Sequence, residues 1–297
     1  MIDFTNCEIN KYKYYGGRNG GKICIKYNDE EYMLKFPPIN QGIEEHAYSN
    51  SCISEYLACH IIKMLGLNVQ ETLLGKYTIH GISKMVVACK DFTNNNTVLK
   101  QFAELKNSQI ETSKNGYGTE LSEIMETIQE QQVYDNKELS EFFWNMFIAD
   151  SLVGNFDRHN GNWGFLVNEK LKNIQIAPIY DCGSCLYPQL TDERILEIMN
   201  DEKEIDARVY VFPTSSIKEN DVKINYYEYI SSLKNKECNE ALKRIVPLID
   251  LEKINIIIED VPEISDIRKE FYKKIVKERY NKILKYSFDK LIKEELV

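Results

Sequence analysis

The chain has 297 residues, 37 Lys and Arg against 46 Asp and Glu, and a formal net charge of -9. That length supports a large domain or two lobes about a cleft and excludes a small stapled module. The acidic balance offers no broad basic surface to nucleic acid or to an anionic membrane, so neither is an expected partner.

The opening stretch MIDFTNCEIN, with Asp3 and Glu8, lacks the positive start and apolar run of a signal peptide. Cytoplasmic synthesis is the default expectation. The eight cysteines are scattered, several within apolar runs, and read as reduced buried thiols. Cys182 and Cys185 form a lone C-x-x-C without a second Cys/His pair at metal spacing, so a structural zinc is not expected.

Tyr14 to Lys22, YYGGRNGGK, is a glycine-rich turn. Gly16, Gly17, Gly20 and Gly21 could expose backbone N–H groups to phosphate oxygens, although a plain hairpin turn would use the same residues. Gly16 to Lys22 also fits the G-x-x-x-x-G-K spacing of a P-loop. Ile23 stands where that motif needs Ser or Thr, and KICIKY at 22–27 reads as a strand instead of a helix, so a kinase-type loop fits better.

EYMLKF at 31–36 pairs with the first strand across Asn28, Asp29 and Glu30 as a hairpin. It carries Lys35 where a kinase keeps the lysine that holds the α- and β-phosphates. The segment 51–65 spaces Ile53, Leu57, Ile61 and Leu65 four apart and stops at Gly66, which predicts a helix. Glu55, in its second turn, is the preferred partner of Lys35, with Glu44 and Glu45 as competitors. Solvated surface charges are the plain alternative for all of them.

TLLGKYTI and SKMVVACK read as two further strands. The run VVACKDF at 86–92 falls where a hinge between lobes would offer backbone hydrogen bonds to adenine. Val87, Ala88 and Cys89 are therefore candidate nucleotide-binding residues, while a simple core strand would read the same.

Beyond Asp91 the composition turns polar. Residues 100–137, around Gly116 and Gly118, predict an exposed helical region with a loose loop. An apolar helix over about 138–153 follows, with Phe142, Met146 and Phe147 on one face and Phe143 and Ile148 widening it. FFWNMFIADSLV at 142–153 is broken by Asn145 and Asp150 and falls short of a membrane span.

Next stands NFDRHNGNWGF at 155–165. Asp157 and Asn162 have the D-x-x-x-x-N spacing of a kinase catalytic loop, a carboxylate for the attacking hydroxyl and an amide oxygen for a metal ion. Alone the spacing is weak, since Asp and Asn also turn loops. Arg158 and His159 flank Asp157; His159 is a candidate for positioning the site, or a structural histidine.

Trp163, Phe165 and Val167 alternate, and Ile174, Ile176 and Ile179 follow, which predicts a hairpin leading to Asp181-Cys182-Gly183. That is D-x-G with Cys182 in place of the usual Phe, and Asp181 is the candidate Mg²⁺ carboxylate. Without an A-P-E motif downstream, Ser184, Thr191, Thr214, Ser215 and Ser216 are candidate autophosphorylation sites or ordinary loop hydroxyls. Residues 264–297 predict an amphipathic helix over the larger lobe.

In order, these signals describe an α+β, bilobal protein-kinase-like fold, with a β-rich N-lobe over 1–90 and a mainly α-helical C-lobe over 91–297. Asp157, Asn162 and Lys35 are the candidate catalytic residues, and Asn162 and Asp181 the metal ligands. ATP and Mg²⁺ are the expected cofactors and a protein hydroxyl the expected acceptor. A pseudokinase or other nucleotide-binding interaction module is the rival reading, and a small-molecule or lipid kinase a further one.

The blocks SEYLACHIIKMLGLNVQETLLG, MVVACKDF, GNFDRHNGNWGF and APIYDCGSCLYP resemble the HipA-like kinases over nearly the whole chain. The resemblance implies an atypical serine/threonine protein kinase that binds ATP between its lobes with Mg²⁺. It places Asp157 at the catalytic aspartate, Asn162 and Asp181 at the metal ligands and Lys35 at the ATP-contacting lysine. HipA is a toxin paired with an antitoxin, and secreted relatives act on host cells. Set against HipA the chain looks shorter at its N-terminus, without a separate leading domain, so the antitoxin-bound arrangement is not expected.

Overall fold

The computed structural model describes residues 1–16, 21–38, 50–94, 96–109 and 114–296. The first part of the chain builds β1 (Ile2–Asp3), β2 (Glu8–Asn10), β3 (Lys22–Tyr27), β4 (Glu30–Lys35), α1 (Ser51–Met64), β5 (Thr72–Ile79) and β6 (Ile82–Lys90). Among the described residues these strands form one curled sheet in the order β1-β5-β6-β4-β3-β2. The expected hairpin is β3–β4: Tyr27 pairs with Glu30, and Asn28 and Asp29, at φ 50° and 62°, supply the left-handed pair that a two-residue hairpin turn requires.

Strand alternation sorts the sheet's side chains. Leu34, Val86 and Ala88 turn to one face with Phe4 and Ile25, while Val87 and Cys89 turn to the other against Cys52 of α1, with Met33 packed beside them. Lys35, two residues after Met33, shares that second face, where α1 lies.

Val87, Ala88 and Cys89 are therefore not hinge residues. They sit in a central strand whose backbone pairs with β4 on one side and β5 on the other, and all three are fully buried. Their polar groups are committed to the ladders. Burial on both faces explains why the run reads as continuously apolar. The chain leaves the sheet only after Lys90, through Asp91 to Asn94.

The second part contains β7 (Thr97–Gln101), α2 (Phe102–Gln109), α3 (Leu121–Glu130), α4 (Asn136–Val153), β8 (Gly164–Asn168), β9 (Asn173–Ile176), α5 (Asp192–Met199) and α6 (Glu202–Tyr210). It continues with β10 (Lys218–Glu219), β11 (Val222–Lys223), α7 (Tyr226–Ser232), α8 (Lys236–Ile245), α9 (Leu251–Glu259), α10 (Asp266–Arg279) and α11 (Tyr286–Glu295). α4 is the buried pillar, started by the Asp135 side chain on the Glu138 N–H and ended by Gly154 at φ 65°. Among the described residues no helix is long and apolar enough to cross a membrane.

The structure departs from the sequence expectation in three further places. β7 adds a third strand to the β8–β9 hairpin. The C-terminal helix is two helices, α10 and α11, joined without a break by a π-helical stretch, Tyr280–Lys285. The turn around Gly116 is pinned and not loose. Lys106 is fully buried and donates to the Gly118 carbonyl at 2.7 Å and to Glu123, and Asn160 donates to the Gly116 and Gly118 carbonyls at 2.9 and 2.7 Å. Gly116 has φ 77°, and a Cβ there would lie 1.9 Å from the Ala103 carbonyl oxygen.

Candidate active site

Four elements converge: the end of β4, the second turn of α1, the loop after α4, and the segment after β9. Lys35 leaves β4 on the α1 face, and its ammonium donates to Glu55 Oε2 at 2.9 Å and to Asp181 Oδ1 at 3.0 Å. Burial alone would depress Lys35, but Asp181 and then Glu55 outweigh it and hold the group well above the usual lysine value. Asp181 responds in kind: Lys35 draws its carboxyl down to about 2 against the opposing effect of burial.

Glu55 also accepts the backbone N–H of Cys182 on its other oxygen, at 3.0 Å. One buried carboxylate thus holds the lysine and the residue after Asp181. Gly183 leaves room for this approach: a Cβ there would stand 3.2 Å from Glu55 Oε2, and the carboxylate would have to give by a few tenths of an ångström. Glu44 and Glu45, the competing partners, and Gly17 and Gly20 of the glycine turn lie outside the described residues. Of the remaining glycines, Gly16 accepts the Lys22 ammonium on its carbonyl at 2.8 Å, and Gly21 accepts the Phe36 N–H.

The loop after α4 is fastened at both ends. Asn155 caps the Asp157 N–H at 3.0 Å, and the Asn162 side-chain amide donates to the Asp157 carbonyl at 2.8 Å. That bond uses the Nδ2 of Asn162 and turns its Oδ1 away from Asp157's backbone. Burial pushes the Asp157 carboxyl up; His159 opposes this and Asp181 adds to it, so the two carboxylates sense each other across the cleft. His159 accepts the Gly161 N–H on Nδ1 at 3.0 Å and meets the Tyr117 ring edge-on, which is a loop-shaping role.

Arg158, which the sequence reading left without a function, ties the site together. Its buried guanidinium donates to the Asp150 carboxylate, to the Asn162 carbonyl at 2.8 Å and to the Tyr180 carbonyl at 2.5 Å. It therefore joins α4, the catalytic loop and the Asp181 segment. The signal for it was Asp150, an acid breaking an otherwise apolar helix. Trp163 does the same by packing, stacked on Phe102 at 3.9 Å and wedged against Phe143. A third missed feature is Asp91 after β6, which accepts the Tyr15 hydroxyl at 2.5 Å and pairs with Lys13 at 2.7 Å, fixing the entry to the glycine turn.

The donor set suits a hard divalent cation. Asp181 keeps Oδ2 free of Lys35 and its side chain is 46% exposed, and Asn162 contributes an amide oxygen. The three-group cluster of Glu55, Cys59 and Cys182 is fully buried; Lys35 occupies its carboxylate and Arg158 approaches its Cys182 sulfur at 3.4 Å. All eight cysteines are free thiols.

Among the candidate phosphoacceptors, Thr191 caps α5 by accepting the Arg194 N–H, and Ser215 is buried and accepts the Ile217 N–H. Those hydroxyls serve the fold.

A lysine clamped by a helix glutamate, a metal-type carboxylate beside it and an Asp–Asn loop facing both define a two-lobed protein kinase. The comparisons agree. The HipA-like C-terminal domain family matches residues 15–249. The serine/threonine-protein kinase CtkA of Helicobacter pylori is 52% identical over 271 residues, covering 91% of this chain and 82% of that protein. A crystal structure of a Helicobacter pylori proinflammatory kinase CtkA superposes with TM-score 0.94 at 49% identity, over 99% of this chain and 98% of that one. HipA of Shewanella oneidensis, solved with HipB and operator DNA, shares the fold at TM-score 0.56 and 14% identity, over 93% of this chain and 68% of that one. The chain belongs to the HipA-like kinase family, and it is a serine/threonine kinase of the CtkA-like kind.

Proposed function

We propose that the protein transfers the γ-phosphoryl group of ATP, with Mg²⁺, to Ser or Thr hydroxyls of protein substrates and of itself. The observation that carries this reading is the Lys35 ammonium held between Glu55 and Asp181 at 2.9 and 3.0 Å, the connected arrangement that phosphoryl transfer requires.

Lys35 would hold the α- and β-phosphates, and Gly16 and Gly21 would bring the turn over them. Asp181 and Asn162 would hold Mg²⁺, which when bound supplies positive charge against the β- and γ-phosphate oxygens. Asp157 orients the acceptor hydroxyl and takes its proton as the new oxygen–phosphorus bond forms and the bond from the γ-phosphorus to the bridging oxygen breaks. His159 and Arg158 act through the loop geometry. Catalysis is mostly positioning and electrostatics.

The test is incorporation of ³²P from [γ-³²P]ATP into the protein and into added substrates. Asp157→Ala and Asp181→Ala should each abolish it while circular dichroism and thermal unfolding remain those of a folded protein. Undiminished incorporation in both variants would overturn the assignment.

A further inference from the structure

The short β10–β11 hairpin opposes two like charges. Lys218 and Lys223 are direct cross-strand partners, so their side chains share one face, while Glu219 and Val222 form the other pair. Like charges directly opposite one another destabilise a hairpin. Among the described residues neither lysine has an ion-pair partner, although the chain is acidic overall. The carboxylate on hand, Glu120, is already taken by the N–H groups of Asn220 and Asp221 at the hairpin's turn, at 2.6 and 3.1 Å.

The hairpin is also fixed to the catalytic loop from both sides. On one side the Lys218 N–H donates to the Thr119 carbonyl at 2.8 Å and the Thr119 hydroxyl to the Ser216 carbonyl at 2.7 Å. That same strip of chain is held by Asn160 of the catalytic loop through the Gly116 and Gly118 carbonyls. On the other side, Tyr226, just past β11, donates its hydroxyl to the Asn155 carbonyl at 2.7 Å. Beside the hairpin lies a cleft of about 440 Å³, whose lining includes Glu219, Val222, Lys223, Glu228, Tyr229 and Lys234.

We propose that Lys218 and Lys223 are specificity-determining residues that select protein segments carrying an anionic side chain close to the acceptor Ser or Thr. The inference rests on Asp157 being the carboxylate that receives the acceptor hydroxyl. The unpaired cross-strand cations supply charge complementarity, and the pinned hairpin holds them at a set distance from the transferred group. Glu219 belongs to the other cross-strand pair by register, yet it lines the cleft with Lys223, as does Glu228 on α7; Lys218, Lys223 and Lys234 are the cations around them. The anionic group is a carboxylate or a phosphate already present on the substrate.

The experiment is a positional-scanning Ser/Thr peptide library phosphorylated by the wild type, by Lys223→Ala and by the charge-reversed Lys218→Glu/Lys223→Glu protein, with Asp, Glu and phosphoserine as separate arms. The wild type should favour an anionic residue at one or more positions flanking the acceptor. Each lost charge should raise the KM for the favoured peptides by roughly 2- to 5-fold, and charge reversal should shift preference toward Lys and Arg. An Asp/Glu preference without gain from phosphoserine identifies a carboxylate; a larger gain from phosphoserine identifies a primed substrate. A library preference that survives charge reversal, or a rise in KM for ATP in place of peptide, overturns the inference alone. Absence of any transfer, including to the protein itself, overturns the kinase mechanism beneath it.

Discussion

Arg158 grips Asp150 with two parallel hydrogen bonds, Nε to Oδ2 at 2.9 Å and Nη2 to Oδ1 at 3.1 Å, and neither side chain exceeds 2% exposure. Replacing Arg158 by Met leaves an uncompensated buried acid, so a loss of about 3–5 kcal/mol is expected in urea unfolding. Replacing both partners, Arg158→Met with Asp150→Leu, should recover much of that stability. It should not recover phosphate transfer, because the Asn162 and Tyr180 carbonyls still lose their donor. Recovery of activity in the double variant would show that the guanidinium serves stability only.

Glu55→Gln retains an oxygen for the Cys182 N–H but removes the charge facing Lys35. If Asp181 holds Mg²⁺ as proposed, Glu55 is its outer partner, and the substitution should reduce kcat on the order of 10- to 100-fold, measured with saturating ATP. The Glu55→Asp side chain is one methylene too short to span both contacts, and a loss at least as large is expected from it.

The acid limb of kcat/KM should lie above 3.8, the ordinary aspartate value, because burial raises Asp157. The sign for stability is opposite to the usual acid: a raised folded-state pKa means that the folded form prefers the proton, so stability is lost as pH rises through that pKa. Asp157→Asn should therefore abolish transfer and yet raise the Tm at neutral pH. Asp181 behaves conversely. Its carboxyl is depressed to about 2 by Lys35, so its contribution is present above 3.8 and fades as pH falls through the depressed value. The stability gap between wild type and Asp181→Asn should close over that acid window.

Two glycines, Gly161 three residues before β8 and Gly164 at its start, separate activity from folding. A Cβ on Gly161 would meet only side chains, His159 Cε1 at 2.8 Å and Tyr117 Cε1 at 3.0 Å, whereas one on Gly164 would meet the Lys100 carbonyl at 2.2 Å. Gly161→Ala should displace the His159 ring and lower kcat with little change in Tm. Gly164→Ala should lower the Tm sharply or prevent soluble expression.

The chemistry-bearing order was legible in the sequence because it is local: the Asn28–Asp29 turn, the four-residue stripe of Ile53, Leu57, Ile61 and Leu65, and the Asp157–Asn162 spacing each lie within one element. Lys35 and Glu55 could be named as partners and Asp181 as the metal carboxylate; that Asp181 also pairs with Lys35 emerged only from the structure. What escaped was long-range. Val87 to Cys89 read equally as hinge or core until their two neighbouring strands were known. The buried role of Arg158 depends on an acid eight residues earlier and a carbonyl 22 residues later. The pinning of Gly116 and Gly118 depends on Asn160, more than 40 residues away.

The forked use of Glu55, one oxygen on Lys35 and the other on the Cys182 N–H, makes α1 a lever with two loads. An outward slide of that helix by the length of a hydrogen bond would strip the lysine of its helix carboxylate, leaving it on Asp181 alone, and unseat the aspartate segment at the same time. The cleft is thereby geared to engage or disengage as a unit, so anything that wedges or anchors α1 governs both halves of the site at one stroke.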